Sequence, residues 1–421
     1  MKLAVSVSVV SVFSLLCAAP AYGAGARCDA PLPVYSQPPI SGGHIVQAIA
    51  VGSYGDSSPS KALPHEHKEE NVEWLCHLPV YDSMLPPDTT DELCYFQQIF
   101  AEPYGDFAQR IWKGNCTTAQ LTLKGANKLY KVGAALRSIY VERLGLLDRE
   151  YNASKVFLAA IPTQRTKQSM FSLMLGLYPV ETRNGETIEY TSYDESVDII
   201  KPNVKACPRL SQLYSSNKKS AEWTQKMGSL KETLEKINRI ADTTGDSTWD
   251  DKASVSTWYD TLRARSCGGI PLPCKGSECV SQEDAQKIFD QADFENNNLM
   301  LGDETLRLAS GPILSFVDET ITAKIHNPSS YDFVYLSGEL DSIAAIQSAL
   351  GKPDGVPPYG SVMVFELWAN SENAHFVRLM YNDKPLQISA CHNPELCSIS
   401  EFFMTVRNKF VIRDISQCDA L

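Results

Sequence analysis

Two short segments, far apart in the chain, hold most of the side chains that could do chemistry. The first is Ser53-Tyr54-Gly55-Asp56-Ser57-Ser58-Pro59, and the second is Ser337-Gly338-Glu339-Leu340-Asp341. A serine becomes a nucleophile when a neighbouring base takes its proton. Neither Ser53 nor Ser57 has a histidine in its segment to do this. The Tyr54 phenol, with an ordinary pKa of about 10, is a poor nucleophile at acidic pH and is expected to fill space. Glu339 and Asp341 could form a carboxylate pair of the kind glycoside hydrolases use. Carboxylates at a helix start more commonly satisfy its free N–H groups, and that capping role is expected here. Lys61 and Arg165 are the cations near these segments. Arg165 is expected to pair with a carboxylate such as Glu339. The candidate binding residues are therefore Tyr54, Asp56, Lys61, Arg165, Glu339 and Asp341.

Metal chemistry finds little support. His65-Glu66-His67 is read as a solvated loop, and His44, His326, His375 and His392 as surface or strand residues. Cys267, Cys274 and Cys279 lack a CxxC pair and a nearby histidine, so disulfides are expected there and not zinc. Residues 293–304 are acidic and Asn-rich, but the glycine and ligand spacing of a calcium loop are missing. No metal and no cofactor is expected. Asn115-Cys116-Thr117 and Asn152-Ala153-Ser154 have the form of glycosylation acceptors, whereas Asn327 is followed by Pro328.

These segments sit in a chain of 421 residues, 43% of them apolar, which suits a large core carrying a second, smaller lobe. Lys2, the apolar run that follows it and Ala21-Tyr22-Gly23 read as a signal peptide over residues 1–23. The formal net charge of −12 becomes one unit more negative when Lys2 leaves. Such acidity disfavours nucleic acid and anionic membranes as partners. No membrane anchor is expected, since the C-terminus Gln417-Cys418-Asp419-Ala420-Leu421 is polar. Of the twelve cysteines, Cys17 lies in the signal segment. The rest should mostly pair in an oxidising compartment, with Cys391 and Cys397 a plausible local bridge and at least one of the odd number left free or bridging another chain. A secreted, extracellular protein is expected, acting on an unidentified extracellular ligand or protein.

The elements that must position the candidate residues are legible as hydrophobic patterns. The alternating run His44 to Val51 reads as a strand that breaks at Gly52, just before the first segment. The next sixty residues are rich in proline and charge and read as irregular. Residues 130–147 read as a helix, 156–161 as a short buried strand and 164–177 as a helix carrying Arg165. Between residues 204 and 298 no strand pattern appears. Trp223, Met227, Leu230, Leu234 and Ile237 mark one amphipathic helix, and Ser281-Gln282-Glu283-Asp284 approaches a capping box. Further on, 332–336 reads as a strand, 341–350 as a helix, and 361–368 with 375–381 as an antiparallel pair. The fold class is α/β, a mixed sheet flanked by helices. Residues 24–203 and 299–421 form the core, and 204–298 a smaller, mostly α-helical cap.

The order of these pieces resembles the histidine acid phosphatase family, in its secreted acid phosphatase and phytase-like branch. The resemblance runs through Gln120-Leu121-Thr122-Leu123-Lys124-Gly125, Gln164-Arg165-Thr166-Lys167-Gln168-Ser169, Gly176-Leu177-Tyr178-Pro179 and Pro357-Pro358-Tyr359-Gly360-Ser361. It implies a site at strand ends, between core and cap. The family's Arg-His-Gly-x-Arg-x-Pro motif falls on the first segment. Tyr54 then stands at the nucleophilic histidine, and Ser53 and Ser57 stand at phosphate-binding arginines. A third arginine position falls on Ala159. The family's Ser-Gly-His-Asp-like tetrad falls on the second segment, with Glu339 for the histidine and Leu340 for the proton-donating aspartate. Six functional positions are thus changed together. Each lost charge-assisted contact removes about 1.5–3 kcal/mol of phosphate binding, and Glu339 adds repulsion. The resemblance with these losses implies a pseudophosphatase, kept for binding or another extracellular role. Two alternatives stand beside it. One is an acid phosphatase with an atypical site, and the other a glycan-binding protein or carboxylate-based hydrolase.

Overall fold

A computed structural model describes residues 27–69, 72–76, 80–83, 95–98, 105, 111–244, 249 and 255–419. The expected signal segment, Cys17 and Cys94 lie outside the described residues.

A seven-stranded mixed sheet forms the centre, built on β1 (His44–Ser53). Small strand pairs lie outside this sheet: β2 (Glu73–Trp74) with β5 (Lys113–Gly114), and β3 (Val80–Ser83) with β4 (Tyr95–Gln98). The central sheet continues with β6 (Val156–Ala160), β9 (Phe333–Gly338), β10 (Val362–Ala369), β11 (His375–Tyr381), β12 (Lys384–Pro385) and β13 (Cys397–Ser398). Its order is β12-β11-β10-β1-β9-β6, with β13 also on β11. β1, β9 and β6 run parallel, while β10 runs antiparallel to β1. The C-terminal ends of three neighbouring strands therefore open on one edge, where open α/β sheets hold their ligands. Both faces of these strands are buried, which explains runs such as Ala48 to Val51 that are apolar on successive residues.

Helices cover both faces. On one lie α1 (Leu123–Arg137) and α2 (Gln164–Leu177), which bring Leu129, Val132, Leu173 and Leu177 against Ala48, Ala50 and Tyr335. A Cβ on Gly133 would lie 1.9 Å from the Leu173 carbonyl oxygen, so only glycine permits this crossing. The helix expected over 130–147 starts earlier, because the Thr122 side chain accepts from the Gly125 N–H as an N-cap. It passes into a π turn at Ser138–Arg143.

The other face carries α7 (Asp303–His326), α8 (Leu340–Leu350) and α9 (Ile399–Lys409). Leu314, Val317, Ile343, Ile346, Phe402 and Val406 pack there on Ile49, Val51 and Leu336. Each such buried side chain contributes about 1.5–3 kcal/mol of transfer free energy.

In chain order between α2 and α7 come α3 (Pro208–Asn217), α4 (Ala221–Ile240), α5 (Val255–Gly268) and α6 (Gln282–Leu299). The expectation of no strand in this stretch is corrected by a short hairpin, β7 (Cys274–Lys275) with β8 (Glu278–Cys279), closed by the Cys274–Cys279 disulfide. Four more bridges join Cys28–Cys267, Cys76–Cys116, Cys207–Cys418 and Cys391–Cys397. The Asn-rich run in α6 holds the loop before β10. Asp293 accepts from the Val356 N–H at 2.7 Å and Asn297 from the Gly355 N–H at 2.8 Å, while Asn296 donates to the Gly355 carbonyl at 2.8 Å. Among the described residues no helix is long and apolar enough to cross a membrane, and no group of three or more His, Cys, Asp or Glu could hold a metal ion.

Candidate functional site

At the shared strand edge, Ser53 of β1 lies level with Gly338 of β9. The chain leaves β1 through Tyr54 and Gly55, leaves β9 through Glu339 into α8, and leaves β6 towards Thr163 and Arg165 in the first turn of α2. Topology thus brings together residues distant in sequence. Gly55 holds the first loop against the start of α1, since a Cβ there would sit 2.6 Å from Leu129. Its N–H donates to the Ser169 hydroxyl at 3.1 Å.

Tyr54, Arg165 and Glu339 form one stack. The guanidinium lies 3.9 Å from the Tyr54 ring centroid, and Arg165 Nη2 donates to Glu339 Oε2 at 2.6 Å. The Glu339 Oε1 accepts from the Thr163 hydroxyl at 3.4 Å. Burial pushes the Tyr54 phenol well above its ordinary value, so a phenolate nucleophile is harder to form than at the surface. Burial disfavours the Arg165 charge, but the groups around it, Glu339 among them, more than offset this and raise its pKa. Glu339 caps α8 as expected, in a capping box with Ser342. Its backbone N–H donates to Ser342 Oγ at 3.1 Å, and its carboxylate also meets Arg165.

The stack forms the floor of a cavity of about 630 Å³ that reaches to α5 and α6. Leu340 and Asp341 line it beside Glu339. Burial, then the negative charge of Glu339, pushes the Asp341 carboxyl up to about 7. From α5 come Tyr259, Asp260 and Arg263, and from α6 Glu295 and Asn296. Asp260 is held by the Ser60 N–H and hydroxyl, both at 2.7 Å. Arg263 is fully buried and lies 3.7 Å from the Tyr359 ring centroid. It donates to the carbonyls of Arg27 at 2.9 Å and Pro357 at 3.0 Å. Lys201 completes a lining of three cations and four carboxyls, Asp260, Glu295, Glu339 and Asp341. A second depression of about 510 Å³ lies on α3 around Val204, Pro208 and Lys219, away from the strand ends.

Other sequence candidates do not line this cavity. Ser53 is buried at the end of β1 and its N–H donates to the Ser361 carbonyl. Asp56 is buried with its carboxylate on the Thr122 hydroxyl at 2.7 Å, and burial pushes it up to about 6. Ser57 is buried in a bridge to Leu121. Ala159 points into the core face shared with α7 and α8, because alternate residues of β6 face opposite sides. Lys61 is exposed, 5.9 Å from the Trp249 ring centroid. The reading of His65-Glu66-His67 as solvated holds for exposed His65 but not for Glu66, which is buried against Arg265 at 2.7 Å. Asn152 accepts from Ser154 at both its N–H and its hydroxyl, and Asn115 accepts from the Cys76 N–H at 2.7 Å. Sequence reasoning missed Tyr259, Asp260, Arg263, Glu295 and Lys201. The run Trp258-Tyr259-Asp260-Thr261-Leu262-Arg263 was the available signal, since aromatic and charged residues recur there at one helical turn.

The chain belongs to the histidine phosphatase superfamily (branch 2), whose family model matches residues 59–382. The match begins at Pro59, the last residue of the first segment. Mouse lysophosphatidic acid phosphatase type 6 is 26% identical over 368 residues, covering 84% of this chain and 82% of that protein. Counting factor 60 of Dictyostelium discoideum is 25% identical over 317 residues, covering 74% of each. The fold is similar to that of Hafnia alvei phytase in its apo form, with a TM-score of 0.59 and 16% identity over 92% of this chain and 100% of that one.

Proposed function

We propose that this chain is a secreted binding protein built on the histidine phosphatase fold, with phosphoryl transfer lost. The observation that carries this reading is the Tyr54–Arg165–Glu339 stack. Tyr54 and Glu339 stand where the family resemblance puts the two histidines. The stack closes Arg165 on a carboxylate, so its charge is spent inside the protein. A phosphomonoester needs cationic donors aimed at its oxygens, because stabilising the charge of the transition state usually does most to lower the barrier. In this reading residues 1–23 are a cleaved leader, 204–298 a cap over the cavity, and Asn115 and Asn152 carry glycans. Five disulfides support an oxidising compartment.

The names of the relatives favour a second reading, an acid phosphatase with an atypical site. Asp341, holding its proton up to about pH 7, would then be the leaving-group acid. Phosphate release from an aryl phosphate and from phytate, followed from about pH 3 to about pH 8, separates the two. Tyr54→Ala and Glu339→Ala run beside the wild type to expose a contaminant. Release no greater than in the variants supports the binding protein. Turnover abolished by Asp341→Asn establishes the enzyme.

A further inference from the structure

We propose that the cavity at the strand ends takes a neutral, hydroxyl-rich ligand, a sugar or polyol ring, in place of a phosphate ester. The proposal rests on the reading that phosphoryl chemistry is lost, and names what the same site binds.

Charge excludes the strongly ionic classes. Arg165 is paired with Glu339, Arg263 is held through Nη2 by two backbone carbonyls, and Lys201 shares the lining with Asp260, Glu295 and Asp341. A phosphomonoester with up to two negative charges would enter a lining with more carboxyls than cations. A compact cation would meet the guanidinium of Arg263 and the ammonium of Lys201 in the same space. A neutral ligand meets neither penalty.

Hydrogen bonding then selects among neutral ligands. Arg263 is fully buried, and its Nε and Nη1 find no acceptor. Asp341 Oδ1, also buried, finds no partner either. Buried polar groups left in this state cost about 1–3 kcal/mol each, and more when charged. An apolar ligand would leave both unmet. A hydroxyl both accepts and donates, so neighbouring hydroxyls on one ring can accept from Arg263 and bond Asp341. Three aromatic rings, Tyr54, Tyr259 and Tyr359, line the same cavity. Arg165 stacks on Tyr54 and Arg263 on Tyr359, so these rings close the wall and hold the two guanidinium groups in place. The volume of about 630 Å³ lies within the range of small-molecule sites and admits one or two such rings.

The test is calorimetric titration of the purified, disulfide-intact protein at neutral pH with glucose, galactose, mannose, xylose and maltose. Glucose 6-phosphate and inorganic phosphate run in parallel. At least one neutral sugar is expected to bind saturably, with a Kd of about 1 mM or tighter, and more tightly than glucose 6-phosphate. Asp341→Ala should weaken that sugar by about tenfold or more, whereas Lys219→Ala, in the separate depression on α3, should not. Thermal unfolding of each variant shows that it has folded. Should Asp341→Ala fail to fold, Asn296→Ala takes its place with the same expected loss. Saturable binding by none of the neutral sugars would overturn the proposal, as would tighter binding of glucose 6-phosphate. Release of phosphate from glucose 6-phosphate in the same samples would instead overturn the loss of catalysis. The two failures are therefore read separately.

Discussion

Removing Arg165 should destabilise the protein more than removing both Arg165 and its partner Glu339. The two side chains are 17% and 12% exposed and meet at 2.6 Å. A charge-assisted hydrogen bond of this kind contributes about 1.5–3 kcal/mol. The face of Arg165 on Tyr54 adds about 0.5–2 kcal/mol. Because the pair borders an open cavity, the lower half of the summed range of about 2–5 kcal/mol applies, and Arg165→Ala should cost about 2–3.5 kcal/mol. That variant leaves Glu339 without its cation beside Asp341. Glu339→Ala should cost only about 1–2 kcal/mol, since Arg165 keeps Tyr54 and the repulsion on Asp341 is relieved. In the double variant no carboxylate is stranded, and about 1–2 kcal/mol of the Arg165→Ala loss should return. Urea unfolding of the four disulfide-intact proteins measures this directly. Losses that simply add, within about 0.5 kcal/mol, would refute the claim that the two groups close on each other.

Other outcomes follow from buried groups and close contacts. Asp56 and Asp341 hold protons up to about pH 6 and about pH 7 in the folded protein, above the ordinary aspartate value. Between that ordinary value and the raised one the folded state binds more protons than the unfolded state. The stability these groups contribute is therefore complete at low pH and is lost as pH rises through about 6 to 7. Unfolding free energies at about pH 5 and about pH 7.5 should differ less in Asp56→Asn and Asp341→Asn than in the wild type; equal slopes would show that neither carboxyl is displaced. Gly133→Ala should lower stability by about 3 kcal/mol or more, because its new methyl meets the Leu173 carbonyl of α2. Gly228→Ala, in α4 with open space around it, should raise stability by about 0.5–1 kcal/mol, read as opposite shifts in thermal midpoint.

Much of the scaffold was legible because its signals are local. The helix at Gln164–Leu177 has the bounds its periodicity gives, and the turn between β10 and β11 separates two clean alternations. The start of α1 was not legible, because the cap at Thr122 lies upstream of the apolar face that drew attention to residue 130. The site was legible where one segment carries it, as at Tyr54 and Glu339. The distant pair Arg165–Glu339 was legible because both residues lie in segments already marked for chemistry, whereas partners outside such segments were not. Glu66 looks like a loop carboxylate until Arg265 is brought to it from α5. The cavity wall on α5 was hidden for a related reason. Arg263 and Arg265 are fully buried, where charged residues on a helix ordinarily read as solvent-facing, so the polar side of that helix read as a surface and not as a cavity wall.

In the proposed reading, the place the family uses for phosphate is filled by the protein's own side chains. Calorimetric titration of the wild-type protein with inorganic phosphate at about pH 5 tests it most directly. No saturable binding is predicted below about 10 mM phosphate, since Arg165 is already paired and Tyr54 offers no cation. Binding with a Kd of about 100 μM or tighter, lost in Arg165→Ala, would contradict the account and show that the stack opens to receive phosphate.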